Sequence, residues 1–272
     1  MKKFNLYLIS DSTGETVVNV GRAAAAQFEA IEPKEHLWVM IRTKRQMGKV
    51  LKAIEKNPGI VMYTIADPLL AKELKDGCIS LNAPCVPVLY QAISDLSNFL
   101  KLEATSQIGK QHELDSNYFT RIEALNFAIT HDDGQAANNL EKADIVLVGA
   151  SRTSKSPTSV YLAYRGYRAA NVPFVPGCLM PENITKLKKP LIVGLTIMGE
   201  RLVEIRRNRI TGIGENKDTS YTNLELVNNE LLLAKKYFLE NNWPIIDVTR
   251  RSVEETAATI IQYFLAKNNN DL

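Results

Sequence analysis

Histidine and cysteine are scarce, with three of each in 272 residues. Cys78, Cys85 and Cys178 are odd in number and show no paired short spacing, which argues against a disulfide framework or a zinc ribbon. His36, His112 and His131 are far apart and form no H-E-x-x-H pattern, so a protein-ligated zinc site is not expected. Long apolar runs are also missing. No stretch approaches the roughly 18 residues of a membrane span, and the run after Met1-Lys2-Lys3 stops at Ser10-Asp11, too early for a signal-peptide core. A cytoplasmic protein with no membrane partner is expected. Charge of one sign is lacking too: 33 Lys+Arg against 30 Asp+Glu leave +3. A protein that binds nucleic acid by neutralising many phosphates needs a larger excess, so no nucleic-acid partner is expected.

What remains is ordinary globular composition, 45% hydrophobic and 23% charged, on a chain long enough for about two domains. Short apolar runs alternate with longer amphipathic ones. Strands are predicted at Phe4–Ile9, Leu37–Ile41, Ile60–Ile65 and Val86–Tyr90. Helices are predicted from Thr13 to about Ala30, with Val17, Val20/Gly21, Ala24 and Phe28 on one face, and over Gln46–Lys56. Asp67-Pro68 reads as an N-cap followed by proline at the first helical position. A polar stretch, Lys101–Ser116, reads as a linker. Beyond it comes a helix over Tyr118–Thr130 with Phe119, Ile122, Leu125 and Phe127/Ile129 inward. Strands follow at Ile145–Val148, Leu191–Leu195 and Ile245–Val248, with helices from Pro157 to about Ala170 and from Val253 to about Ala266. Ser252 and Glu255 have capping-box spacing, Asn268–Asn270 reads as a frayed tail, and no internal repeat is evident. The fold class is α/β: an N-terminal, mainly parallel α/β domain over 1–116, then an α/β domain over 117–272 that the strand–loop–helix segment at Gly149–Ser156 marks as P-loop kinase-like.

The most informative segment joins the strand at Ile145 to the helix near Pro157. Gly149, Ala150, Ser151, Arg152, Thr153, Ser154, Lys155 and Ser156 approximate G-x-x-x-x-G-K-[ST], with Ser154 where the second glycine belongs. Such a loop turns backbone N–H groups inward at a helix N-terminus, where the dipole adds partial positive charge. Lys155 supplies a full charge for the outer phosphates and Ser156 a hydroxyl for Mg²⁺. Ser154 raises the question whether the loop uses a positive φ there. The bland alternative is a Ser-rich connection whose hydroxyls merely cap the helix.

Together with its neighbours this segment marks a resemblance. Gly149–Ser159, with Tyr161-Leu162-Ala163, resembles the family of pyruvate, phosphate dikinase and phosphoenolpyruvate synthase regulatory proteins. Ser10–Thr16, Tyr118–Ala124, His131-Asp132-Asp133-Gly134, Asn171-Val172-Pro173 and Asp247-Val248-Thr249 also fit, in order along nearly the whole chain. The family's usual Lys-Thr-Pro is Lys155-Ser156-Pro157 here, a swap that keeps the hydroxyl. The resemblance implies a bifunctional, homodimeric regulator. It would phosphorylate a threonine beside the catalytic histidine of the dikinase with ADP as donor. It would remove that phosphate with inorganic phosphate, releasing pyrophosphate. The dikinase is the favoured target, the synthase the alternative.

Phosphoryl transfer depends on positioning and charge neutralisation. Lys155, the loop amides and Mg²⁺ at Ser156 are expected to hold the transferring group, with Arg152 bracing it. Asp132 or His131 is the candidate base, although His131–Gly134 also reads as a plain helix stop. Asp11, Ser12 and Thr13 follow a strand and are expected to help hold phosphate or the protein substrate; Ser12 and Glu15 equally fit a capping box. Arg206 and Arg207, with Arg209, read either as a mobile substrate-binding lid or as an exposed basic helix face. Asp247 could orient metal-bound water or serve a turn. A small-molecule P-loop kinase and a non-catalytic nucleotide-binding module remain as alternative readings.

Overall fold

Strands buried on both faces read as continuous apolar runs, and here such runs organise two parallel sheets. A computed structural model describes residues 1–108, 116–135, 137–181, 183–213 and 220–270. The chain divides into two compact units, Met1–Glu113 and Leu114–Leu272. Among the described residues no helix is long and apolar enough to cross a membrane.

The first unit alternates β1 (Lys2–Ser10), α1 (Glu15–Ala25), β2 (Ile31–Trp38), α2 (Lys44–Lys56), β3 (Gly59–Thr64), α3 (Pro68–Ser80), β4 (Cys85–Pro87) and α4 (Tyr90–Leu100). All pairings are parallel, in the order β2-β1-β3-β4. Period-2 alternation splits the central strands between two cores. Tyr7, Ile9, Val61 and Tyr63 pack with Met47, Val50 and Ile54 of α2 and Leu70 and Leu74 of α3. Leu6, Leu8 and Met62 face Val17 of α1. The predicted cap forms: Asp67 Oδ1 accepts from the N–H groups of Leu69 (2.8 Å) and Leu70 (3.2 Å).

The second unit contains α5 (Ser116–Thr130), β5 (Ile145–Gly149), α6 (Lys155–Tyr164), β6 (Ala169–Pro173), β7 (Leu191–Thr196), α7 (Gly199–Ile213), α8 (Leu224–Glu240), β8 (Ile245–Asp247) and α9 (Val253–Asn270). Its sheet is again wholly parallel, in the order β6-β5-β7-β8. Ile145 and Leu147 of β5 face a core completed by Leu162, Leu202, Val227 and Ile260, while Val146 and Val148 face Phe238, Trp243 and Ala234. The strand order matches that of the first unit. This repeat of topology is invisible to a search for internal sequence similarity, because backbone pairing can recur on unrelated side chains.

The α/β class holds, and several expected elements are corrected. The second strand is Ile31–Trp38 rather than Leu37–Ile41, because an edge strand carries polar residues such as Glu32, Lys34 and Glu35. The chain then turns at Met40, where φ is 57°. Helix α1 spans Glu15–Ala25, leaving Phe28 outside it and exposed. Gly14 (φ 83°) is its N-cap and no side chain caps it, so the Ser12–Glu15 capping box is not what starts the helix. The Ser252–Glu255 box does form: Glu255 N–H donates to Ser252 Oγ (3.1 Å), and Ser252 N–H to Glu255 Oε2 (2.8 Å).

The fourth strand ends at Pro87, and Tyr90 opens α4 instead of closing a strand. Helix α5 buries its alanines, Ala124 and Ala128, against Ala163 of α6, and leaves the expected Phe119, Ile122 and Ile129 exposed. Close helix approach selects small side chains there. Helix α6 stops at Tyr164, before Gly166 (φ 91°), so Ala169 and Ala170 belong to β6 and not to a helix end. Helix α9 continues to Asn270 through the expected tail. Residues 109–115 of the expected linker, with His112, lie outside the described residues.

Strand β7 sits so close to α8 that an added Cβ at Gly194 would lie 2.3 Å from Cδ2 of the fully buried Phe238. Gly194→Ala is therefore expected to destabilise the second unit by about 1–3 kcal/mol through overpacking. Urea unfolding measures this, and Phe238→Leu in the same chain should recover part of the loss.

Candidate functional site

In an open α/β sheet, ligands bind beyond the carboxyl ends of the strands where the strand order reverses. In the second unit that point lies between β5 and β7. Strand β5 ends at Gly149, and an added Cβ there would fall 2.7 Å from both the Leu195 carbonyl oxygen and Thr153 Oγ1, so only glycine lets the loop fold back over the neighbouring strand. The loop turns on two left-handed residues, Arg152 (φ 73°) and Ser154 (φ 61°). The positive φ served by a second glycine in the usual motif is thus taken here by a serine. Helix α6 begins at Lys155, two residues before the expected Pro157, with Ser154 as N-cap. The Ser154 side chain makes no capping hydrogen bond, which excludes the reading of this serine as a simple helix cap.

Lys155 is buried inside the loop. Its Nζ donates to the Ala150 carbonyl (2.9 Å), which also accepts from Thr153 Oγ1 (2.9 Å). Desolvation lowers its pKa to about 8; Asp133, Asp132 and Glu230 act in the opposite sense, and Arg206 adds to the lowering. A buried cation held so weakly protonated gains from a nearby anion.

The turn His131–Gly134 is tied to β6 through the backbone: Asn171 N–H donates to the His131 carbonyl (2.9 Å), and Gly134 N–H to the Asn171 carbonyl (2.8 Å). This brings Asp132 against the first turn of α6. Ser156 Oγ–H donates to Asp132 Oδ1 (2.8 Å), and Asn171 Nδ2 donates to Asp132 Oδ1 (2.5 Å) and Ser156 Oγ (2.9 Å). His131 is buried, its ring stacked on Phe127 with 3.8 Å between centroids. Its Nδ1 lies 2.9 Å from the Phe127 carbonyl, which can only accept, so Nδ1 carries the hydrogen. Nε2 is buried without a hydrogen-bond partner among the described residues.

Arg206 is 2% exposed, which overturns both the mobile-lid and the exposed-face readings for this residue. It forms a bidentate pair with Glu230 (2.8 and 3.0 Å), lies 4.2 Å over the Tyr221 ring and donates to the Ser151 carbonyl (3.1 Å). The Tyr221 hydroxyl and Ser151 Oγ are 3.0 Å apart. Arg206 thus braces the loop from behind. Arg152, Arg207 and Arg209 are exposed. Asp247 is exposed and accepts from both the N–H (2.8 Å) and the hydroxyl of Thr249.

Asp11, Ser12 and Thr13 belong to the first unit, at the carboxyl end of β1. Asp11 is buried and turned inward, its Oδ2 accepting from Ala66 N–H (2.5 Å) and its carbonyl from Arg42 Nε (2.9 Å). Ser12 N–H donates to Ser10 Oγ (3.1 Å), and Thr13 is exposed. The second unit therefore brings together Gly149–Ser156, Asp132 and Arg206. Sequence reasoning gives Asn171 no role beyond its place in the Asn171-Val172-Pro173 match, and it passes over Glu230 and Tyr221, which belong to no motif.

The chain matches the family model described as Kinase/pyrophosphorylase over residues 6–261. It is 48% identical over 266 residues to the "Putative pyruvate, phosphate dikinase regulatory protein" of Maricaulis maris (strain MCS10), covering 98% of this chain and 95% of that protein. A protein of the same name from Caulobacter vibrioides (strain ATCC 19089 / CIP 103742 / CB 15) is 48% identical over 258 residues, 95% of this chain and 82% of that one. Another, from Wolbachia pipientis wMel, is 47% identical over 267 residues, 97% of each.

Breaking a buried ion pair strands a charge. Glu230→Gln, which leaves Arg206 uncompensated, is expected to cost about 3–5 kcal/mol in chemical denaturation. The double change Arg206→Met/Glu230→Leu should cost less than that single one.

Proposed function

The chain belongs to the kinase/pyrophosphorylase family, and on that premise we propose that it moves a phosphoryl group onto and off a threonine of pyruvate, phosphate dikinase. ADP is the donor in one direction, and inorganic phosphate is the acceptor in the other. The target follows the name carried by the relatives. The observation that carries the chemistry is the buried Lys155 at the root of a strand–loop–helix joint, with Ser156 and Asp132 in hydrogen-bond contact beside it.

In the forward reaction the threonine oxygen attacks the β-phosphorus of ADP, the bond to the bridging oxygen breaks, and AMP leaves. Asp132 takes the hydroxyl proton. In the reverse reaction a phosphate oxygen attacks the phosphothreonine phosphorus, the threonine oxygen leaves with a proton returned by Asp132, and pyrophosphate is released. Asp132 is preferred to His131 as the base because His131 is buried under Phe127 while Asp132 is partly open and beside Lys155 and Ser156. The Lys155 ammonium and the amides of Gly149–Ser156 neutralise the transferring group, with Arg152 at the exposed rim.

Mg²⁺ suits the donor set. Ser156 Oγ donates one hydrogen bond and accepts one, leaving a lone pair for a hard cation. Among the described residues no group of three or more His, Cys, Asp or Glu gathers as a metal cage, and Mg²⁺ commonly needs only one or two protein oxygens beside phosphates and water. When bound it would offset charge on the phosphates. Half-buried Ser12, exposed Thr13 and exposed Arg207 are the remaining candidates for contact with the protein substrate.

Incubation with purified dikinase and ADP labelled at the β-phosphate should label threonine, and unlabelled phosphate should then release the label as pyrophosphate. No labelling with wild-type protein would sink this reading. Because an anion raises the Lys155 pKa from about 8, ADP affinity should fall as the pH rises above 8. Binding at pH 8.5 should take up a proton fraction approaching about three quarters. Calorimetry in two buffers of different ionisation enthalpy measures it, and Lys155→Met should abolish the uptake and weaken binding.

A further inference from the structure

Asn171 carries two separate sets of interactions. Its backbone N–H and carbonyl clamp the His131–Gly134 turn to β6, and any residue except proline would supply the same N–H and carbonyl. Its side chain, 1% exposed, is aimed at Asp132 and Ser156, with a longer contact from Nδ2 to Asp133 Oδ1 (3.5 Å). The acceptor end of the amide, Oδ1, is buried without a hydrogen-bond partner among the described residues. Turning the amide over cannot relieve this, because Oδ1 would then face Asp132 Oδ1, an acceptor, at 2.5 Å. An orientation kept at the expense of a stranded acceptor points to a requirement at the donor end.

We propose that Asn171 is a positioning residue of the phosphoryl-transfer site, which fixes the rotamers of Asp132 and Ser156 and the direction of the hydrogen bond between them. Nδ2 can only donate, so both neighbours must accept from it. With one Ser156 lone pair engaged by Nδ2, the serine hydrogen is directed to Asp132 Oδ1 at 2.8 Å. The remaining Ser156 lone pair and the second carboxylate oxygen of Asp132 are thereby held in set directions. Residues 132, 156 and 171 come from a turn, a helix and a strand, so no local preference orients them together. The charged and titratable groups around the triangle are Lys155 of α6 and Asp133 and His131 of the turn, with Arg206 and Glu230 beyond Lys155.

The inference rests on the transfer activity proposed above, and its test separates the two. Asn171→Leu keeps the heavy-atom count and branching and removes both donors; Asn171→Ala removes donors and volume. Misplacing groups at a reacting centre costs on the order of 100-fold in rate. With the dikinase and ADP, both variants should lose about 100-fold in kcat per ADP-binding site, in both directions, with the KM for ADP within about threefold of wild type. A role in packing alone would leave Asn171→Leu near wild type and penalise only Asn171→Ala; that order, or a loss confined to KM, overturns the proposal. If Asn171→Leu does not fold, Asn171→Ala, which retains the backbone clamp, decides through the KM-against-kcat split. A double-mutant cycle of Asn171→Ala with Ser156→Ala, read by urea unfolding, tests the contact without any activity. Coupling of about fivefold in the unfolding constant is expected, and additivity overturns the proposal even if the wild-type protein transfers no phosphate.

Discussion

A lysine ammonium placed in a protein interior must be compensated, and the surroundings of Lys155 follow from that constraint. The loop between β5 and α6 curls so that the Ala150 carbonyl meets the charge. Asp132 and Asp133 from the turn after α5, and Glu230 from α8, provide negative charge around it. Burial nevertheless dominates, and the amine remains easier to deprotonate than a free lysine. The site is thus left short of negative charge, a deficit that phosphates can fill.

The loop that surrounds this charge is held from two sides. Arg206, paired with Glu230 and stacked over Tyr221, reaches the Ser151 carbonyl. On the other side, Asn171 joins the first turn of α6 to the His131–Gly134 turn. These supports let the loop keep two non-glycine residues at positive φ, Arg152 and Ser154, a conformation that unsupported L-residues adopt at a cost. In the first unit the same strand order produces a comparable joint after β1, also with a left-handed residue, Gly14, just before the helix. There the polar groups turn inward: Ser10, Thr64, Asp11 and Ala66 bond one another, and no Lys or Arg among the described residues of that unit is buried. Equal topology has been put to unequal use.

Much of the fold was legible in residue pattern. The apolar runs at Ile145–Val148 and Leu191–Leu195 marked central strands because strands covered on both faces need no alternation. Asp67-Pro68 and Ser252–Glu255 marked helix starts because their chemistry is local. The edge strand β2 was less legible, since polar residues dilute its pattern. Strand β6 was hidden in a run of small residues that also suits a helix. The buried face of α5 was misread for a related reason: packing on α6 selected Ala124 and Ala128, and no periodicity of large residues reports the close approach of two helices.

For the site, sequence alone determined the loop, its lysine and its hydroxyl, because Gly149–Ser156 are contiguous and their spacing is set by one turn of backbone. It also determined that His131-Asp132-Asp133-Gly134 is a turn. Tertiary structure decided that Asp132 meets Ser156, that Asn171 lies between them, and that Arg206 is an internal brace rather than part of a lid. Those relations join residues 15 to 55 positions apart through parallel strands and crossover helices. Parallel strands can only be connected by long excursions, so the groups that meet at the carboxyl ends of such a sheet are distant in sequence.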